Sequence, residues 1–126
     1  MGMDLTLYPH NDRIQNWRSQ YSSPALRLDR DYEIFAQIDK NVMGEQGGKV
    51  KQVCKPKPLP PNVEFIVYDD DGRKERRDDK YGEGLTYVEA WELKKVDVSD
   101  ACDWTKAIFA MIKALPDSYP VVLMWS

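Results

Sequence analysis

Hydrophobic and polar positions alternate along this chain with two periods, and each change of period marks an element. Met3, Leu5 and Leu7 alternate with Asp4, Thr6 and Tyr8. Period two predicts a half-buried strand over 3–8, with the Met/Leu set inward. Pro9 ends it, because proline has no N–H to give a ladder. Residues 10–24 are polar and read as a loop, with Trp17 and Tyr21 folded back over the core. Leu26 and Leu28 fit a very short strand. Asp31 then stands where a helix N-cap belongs, and Ile34, Phe35, Ile38 and Val42 follow at helical spacing until Gly44 and Gly47-Gly48. Residues 44–61 carry Gly-Gly, spaced lysines and prolines at 56, 58, 60 and 61. Proline removes donors and fixes φ, so this stretch is expected to be a flexible, partly polyproline-II connection over the surface.

Val63 to Tyr68 is a β-branched and aromatic run, and Asp69-Asp70-Asp71-Gly72 supplies a turn after it. Arg73 to Arg77 is either a charged edge strand or an exposed loop. Thr86 and Glu89 have capping-box spacing, so a short helix is expected across Tyr87 to Val96. The strongest helix pattern runs over 100–115. Ser99 or Asp100 would cap it, and Ala101, Trp104, Ala107, Ile108, Met111, Ile112 and Leu115 make one apolar face. Val121 to Trp125 is a continuous apolar run, the mark of a strand buried on both faces. The fold class that follows is α+β. A small mixed or antiparallel sheet from 3–8, 63–68, 73–77 and 121–125 would carry the C-terminal amphipathic helix on one face.

Composition narrows the function classes. A chain of 126 residues with 42% hydrophobic and 31% charged residues suits one domain, 1–126. Its net charge of −3 is made of interspersed signs, which leaves no basic field for nucleic acid. No apolar run approaches a membrane span, and Met1 to Tyr8 lacks the pattern of a signal peptide. The expected setting is cytoplasmic, with Cys54 and Cys102 as free thiols.

Chemistry-bearing patterns are sparse. His10 is the only histidine, and neither it nor the two cysteines have zinc-ligand or nucleophile-pair spacing. Aligning Gly72 with the glycine of a calcium-binding loop puts Val67 at the first ligand position, where a valine side chain cannot coordinate. No glycine-rich loop precedes a helix to cradle phosphate. No metal or other cofactor is therefore expected. Three alternatives stay open. Asp4, Glu64 and Glu89 could converge as acid–base carboxylates in a small enzyme. Lys49, Lys51, Lys55 and Lys57 could touch nucleic acid weakly. The third is a protein contact at Phe109. On the expected helix it falls off the apolar stripe, beside Lys106 and Lys113. It would be covered by the 9–24 loop, or it would mark a surface for a partner or a second copy.

Met1-Gly2-Met3-Asp4-Leu5-Thr6-Leu7-Tyr8, Arg30-Asp31-Tyr32-Glu33-Ile34-Phe35-Ala36, Pro58-Leu59-Pro60, and Leu85-Thr86-Tyr87 with Glu92-Leu93 carry a family resemblance. In that order they resemble an uncharacterised family of small phage and prophage proteins. That family opens Met-Gly-x-Asp-Ile-His-Leu and continues with Arg-Asn-Tyr-x-Leu-Phe-Ala, a Gly-Leu-Pro segment and Leu-Thr before Glu-Leu. The resemblance spans roughly residues 1–96. It implies a phage-borne accessory protein and no particular chemistry. Thr6 stands where the family tends to carry histidine, so a role resting on that histidine could not operate here. The expected function is binding of an unidentified protein partner, such as a host enzyme or defence component, in preference to catalysis.

Overall fold

The computed structural model describes residues 2–9, 20–21, 25–61, 63, 65–69 and 72–126. The middle layer is an antiparallel five-stranded sheet in the order β3-β1-β8-β7-β4. Its strands are β1 (Leu5–Pro9), β3 (Leu26–Arg27), β4 (Lys57–Pro58), β7 (Thr86–Glu89) and β8 (Pro120–Trp125). β8 lies at the centre, with Leu123 opposite Leu7 on one side and opposite Thr86 on the other. Every residue of β8 is buried, because both sheet faces are covered. Val121, Leu123 and Trp125 enter a core shared with the helices, whereas Val122 and Met124 join Leu59, Val63, Phe65 and Leu85 on the other face.

A second, three-stranded sheet holds β2 (Gln20–Tyr21), β5 (Phe65–Asp69) and β6 (Gly72–Glu75), in the order β2-β5-β6. The 63–68 run was expected in the main sheet and instead forms part of this outer layer. It reaches the central strands through side chains: Tyr8 and Phe65 meet edge-to-face with ring centroids 5.3 Å apart. Asp69 pairs with Gly72, whose φ of 96° suits glycine. His10, Trp17, Glu64, Asp70 and Asp71 lie outside the described residues.

The first helix divides in two. Asp31 caps α1 (Tyr32–Ile38), accepting the N–H groups of Glu33 and Ile34 at 3.2 Å each. Asp39 then leaves the helical conformation and caps α2 (Lys40–Met43) through the N–H groups of Asn41 and Val42. An aspartate that can bond its own downstream N–H groups competes with the helix ladder, and here it wins. Phe35 still packs edge-on to Trp125, with centroids 5.7 Å apart.

The 44–61 connection is more embedded than its composition suggests. Cys54 is 1% exposed and Leu59 6% exposed. The Gln37 carbonyl accepts the N–H groups of Val53 and Cys54, and the Glu92 carboxylate accepts that of Lys55 at 2.8 Å. β4 then joins the main sheet, with Lys57 opposite Tyr87. The expected helix at 87–96 is also corrected. Thr86–Glu89 is a sheet strand, and the capping box lies three residues later, at Glu89 and Glu92, opening α3 (Ala90–Leu93). No helix among the described residues is long and apolar enough to cross a membrane.

Both cysteines are free. Burial pushes the Cys54 thiol up to about 12, with the nearby Glu92 charge adding to the effect. Cys102 is exposed. A thiol reagent at neutral pH is therefore expected to modify one group per folded chain and the second only after unfolding. Two groups reacting at equal rates in the folded protein would contradict the burial of Cys54.

Candidate functional site

The helix that carries the sequence-derived contact residues is α4 (Asp103–Lys113). It starts later than Ser99 or Asp100, for a reason in the preceding turn. The Gln37 side chain bonds both backbone groups of Asp97, at 2.9 and 2.7 Å, and the Asp97 carboxylate takes the Ser99 N–H. That turn occupies Ser99, and Cys102 becomes the N-cap residue.

The inward face of α4 is Thr105, Ile108, Phe109 and Ile112. Phe109 is 2% exposed and belongs to the core shared with α1 and β8. This corrects its assignment as a contact residue. The stripe is rotated relative to the one expected from spacing. Trp104 is 54% exposed and Met111 43% exposed. Trp104 keeps its indole N–H outside the core, where it donates to the Arg27 carbonyl at 2.8 Å. Phe109 has no polar group to place, so its burial is the cheaper one.

At ~100° per residue, the other positions follow from this inward face. Trp104 and Met111 lie about 90–110° to one side of its centre, and Lys106 and Lys113 lie as far to the other side. Ala107, Ala110 and Ala114 point outward between those flanks, and all three are exposed. The outer surface of α4 is therefore an alanine strip with the Asp103 carboxylate at its N-terminal end, edged by an aromatic and a thioether on one flank and by two exposed lysines on the other.

The other sequence candidates do not assemble. The Asp4 carboxylate is held by Arg27 at 2.9 Å and by Arg30 at 3.1 Å. The hydrogen bond from Arg30 holds this carboxyl below the usual carboxylate range, against a smaller opposing effect of burial. Glu89 takes part in the α3 capping box and accepts the Trp91 indole N–H at 3.3 Å. Asp4 pairs with Ser126 at one end of β8 and Glu89 with Pro120 at the other. The length of that strand, roughly 20 Å at about 3.3 Å per residue, separates them. Asp4 and Glu89 therefore share no acid–base site. Lys49, Lys51, Lys55 and Lys57 are exposed along an extended segment. Among the described residues no group of three His, Cys, Asp or Glu side chains stands close enough to hold a metal ion.

A second exposed aromatic, Trp91, is 40% exposed, but the Lys95 ammonium lies over its ring at 4.4 Å from the centroid. Trp104 and Met111 thus form the principal uncovered apolar pair on one helix among the described residues. Spacing placed both on α4 and assigned them to the wrong side. Comparison with protein-family models, with curated proteins and with solved structures finds no match for this chain.

Proposed function

We propose that this chain is a binding protein whose working surface is the outward face of α4 and whose ligand is another protein. The observation that carries this reading is the exposure of Trp104 and Met111 beside three outward alanines on a helix whose opposite face is core. An exposed apolar strip with a charge, Asp103, only at its N-terminal end favours a partner. Large, nearly rigid aromatics are the side chains that most often anchor one.

The chemistry of the strip favours an amphipathic helix on the partner. Alanine side chains let a second helix backbone approach closely, and Trp104 and Met111 stand one heptad apart as anchors. Lys106 and Lys113 on the far flank suit acidic residues beside the partner's apolar stripe. The resemblance over roughly residues 1–96 supplies the setting: a phage- or prophage-encoded accessory protein acting on a host enzyme or defence component in the host cytoplasm.

The test compares three baits in capture from host lysate: the natural chain, Trp104→Ser/Met111→Ser, and Lys106→Glu/Lys113→Glu. The natural chain is expected to retain a discrete protein near equal stoichiometry. The serine pair should lose it, and charge reversal should weaken it by roughly tenfold or more at low salt. Equal retention by the serine pair would overturn the reading.

A further inference from the structure

The outward face of α4 complements itself when the same helix of a second copy is laid against it antiparallel. Ala107, Ala110 and Ala114 repeat at three- and four-residue steps, the spacing of a helix–helix seam. Asp103 lies on the same line, about 170° from the centre of the inward face. Trp104 and Met111 edge the seam on one side, and Lys106 and Lys113 on the other. A twofold axis across the seam reverses the helix direction and keeps each edge on its own side, so each edge meets its own counterpart.

One register suits nearly all of these positions. With Ala107 opposite Ala110 of the second copy, the small methyl groups let the two helix axes approach to about 8 Å. Trp104 then falls within about 3 Å, measured along the axis, of Met111 of the second copy. A thioether against an indole is a favourable contact. Asp103 falls within about 2 Å, along the axis, of Lys113 of the second copy, and the twofold repeats both pairs. The positive N-terminal end of each helix also meets the negative C-terminal end of the other. A parallel arrangement would set Asp103 against Asp103 and align the two dipoles, both of which are unfavourable.

Trp104 is prepared for this contact. Its indole N–H is bound to the Arg27 carbonyl at 2.8 Å, which holds the ring at the edge of the seam while it stays 54% exposed. A ring already fixed loses little side-chain freedom on association. The net charge of −3 per chain is too small to keep two copies apart.

We propose that the occupant of this face in the free protein is a second copy of the chain, joined through α4 in an antiparallel twofold dimer that a partner must displace. The contact itself rests on the register, and its regulatory meaning rests on the reading of α4 as the working surface. A helix of 11 residues is about 16 Å long, so the contact is at the small end for specific interfaces and the dimer is weak enough to yield. One mismatch remains in the register. Lys106 lies within about 3 Å, along the axis, of Lys113 of the second copy, and like charges there oppose association.

Sedimentation equilibrium of the full chain at low salt, up to about 0.5 mM, is expected to show a monomer–dimer equilibrium with a Kd of about 10–100 µM. Trp104→Ser/Met111→Ser should raise that constant roughly tenfold or more. Asp103→Lys should raise it roughly fivefold, and Asp103→Lys/Lys113→Asp should recover most of the loss. Lys106→Glu turns the like-charge pair into an opposite one and should tighten the dimer roughly threefold or more, which no misfolded variant would do. The same variant should weaken capture of a partner with acidic flanks, so dimer and partner respond in opposite directions. A monomer throughout this range, a dimer unchanged in the serine pair, or a Lys106→Glu dimer no tighter than the natural one would each overturn the proposal. A monomeric chain that still captures a protein through Trp104 and Met111 would overturn it and leave the partner reading intact. A dimer of the expected kind with no captured protein would support it and remove the partner reading.

Discussion

Replacing Phe109 with serine is expected to cost about 3–5 kcal/mol of stability. The side chain is 2% exposed, within the core that joins α4 to α1 and β8. Serine would leave a cavity and introduce a hydroxyl that needs a partner. For a chain of this size, the melting temperature should fall by roughly 10–20 °C. Trp104→Ser on the same helix should cost only about 1 kcal/mol, because half of that side chain is already in water. Matched thermal or urea unfolding of the two variants checks the difference. Equal losses, or a larger loss at Trp104, would mean that α4 is rotated from the orientation described.

Glu92→Gln is expected to produce the second large effect, although it changes almost no volume. Glu92 is 3% exposed, and its carboxylate oxygens accept the N–H of Lys55 and the N–H of Glu89, both at 2.8 Å. One bond adds to those from the Gln37 carbonyl and the β4–β7 pairing in fastening the 50–58 segment to the body, and the other closes the α3 capping box. Glutamine keeps one acceptor and turns the other into an NH₂ facing an N–H donor. The loss should be about 2–3 kcal/mol, the range for a charge-assisted bond plus an unsatisfied buried donor. Release of the segment would also uncover Cys54, so its modification rate in the folded protein should rise. A variant with natural stability and an unreactive Cys54 would show that Glu92 does not hold the connection.

Much of this architecture is legible in local patterns. The alternation at Leu5 and Leu7, the cap at Asp31 and the unbroken apolar run at Val121–Trp125 each need only neighbours in sequence. Other features depend on partners far along the chain. Lysines and prolines make 44–61 look like a solvated tether, yet the Gln37 carbonyl and the Glu92 carboxylate satisfy its backbone and allow Cys54 to be buried. Thr86 to Leu93 holds a strand and a helix within a few residues, so neither period persists long enough to declare itself.

The orientation of α4 is the most instructive case. Apolar residues lie around most of this helix, with only Asp103, Lys106 and Lys113 as charged markers. Spacing therefore offers two faces, one through Trp104 and Met111 and one through Phe109 and Ile112. Packing selects the second, because Trp104 has a donor to satisfy and finds the Arg27 carbonyl at the surface.

The most direct measurement of the α4 surface is site-specific photocrosslinking, in cells that express the protein, from its exposed alanines. A benzophenone side chain at Ala107 or Ala114 would sit in the outward strip, and one at exposed Glu45 would report on a surface outside α4. The account predicts the same discrete crosslinked protein from positions 107 and 114, none from 45, and its loss in the Trp104→Ser/Met111→Ser background. The absence of any discrete product from 107 and 114, or an identical product from 45, would contradict it.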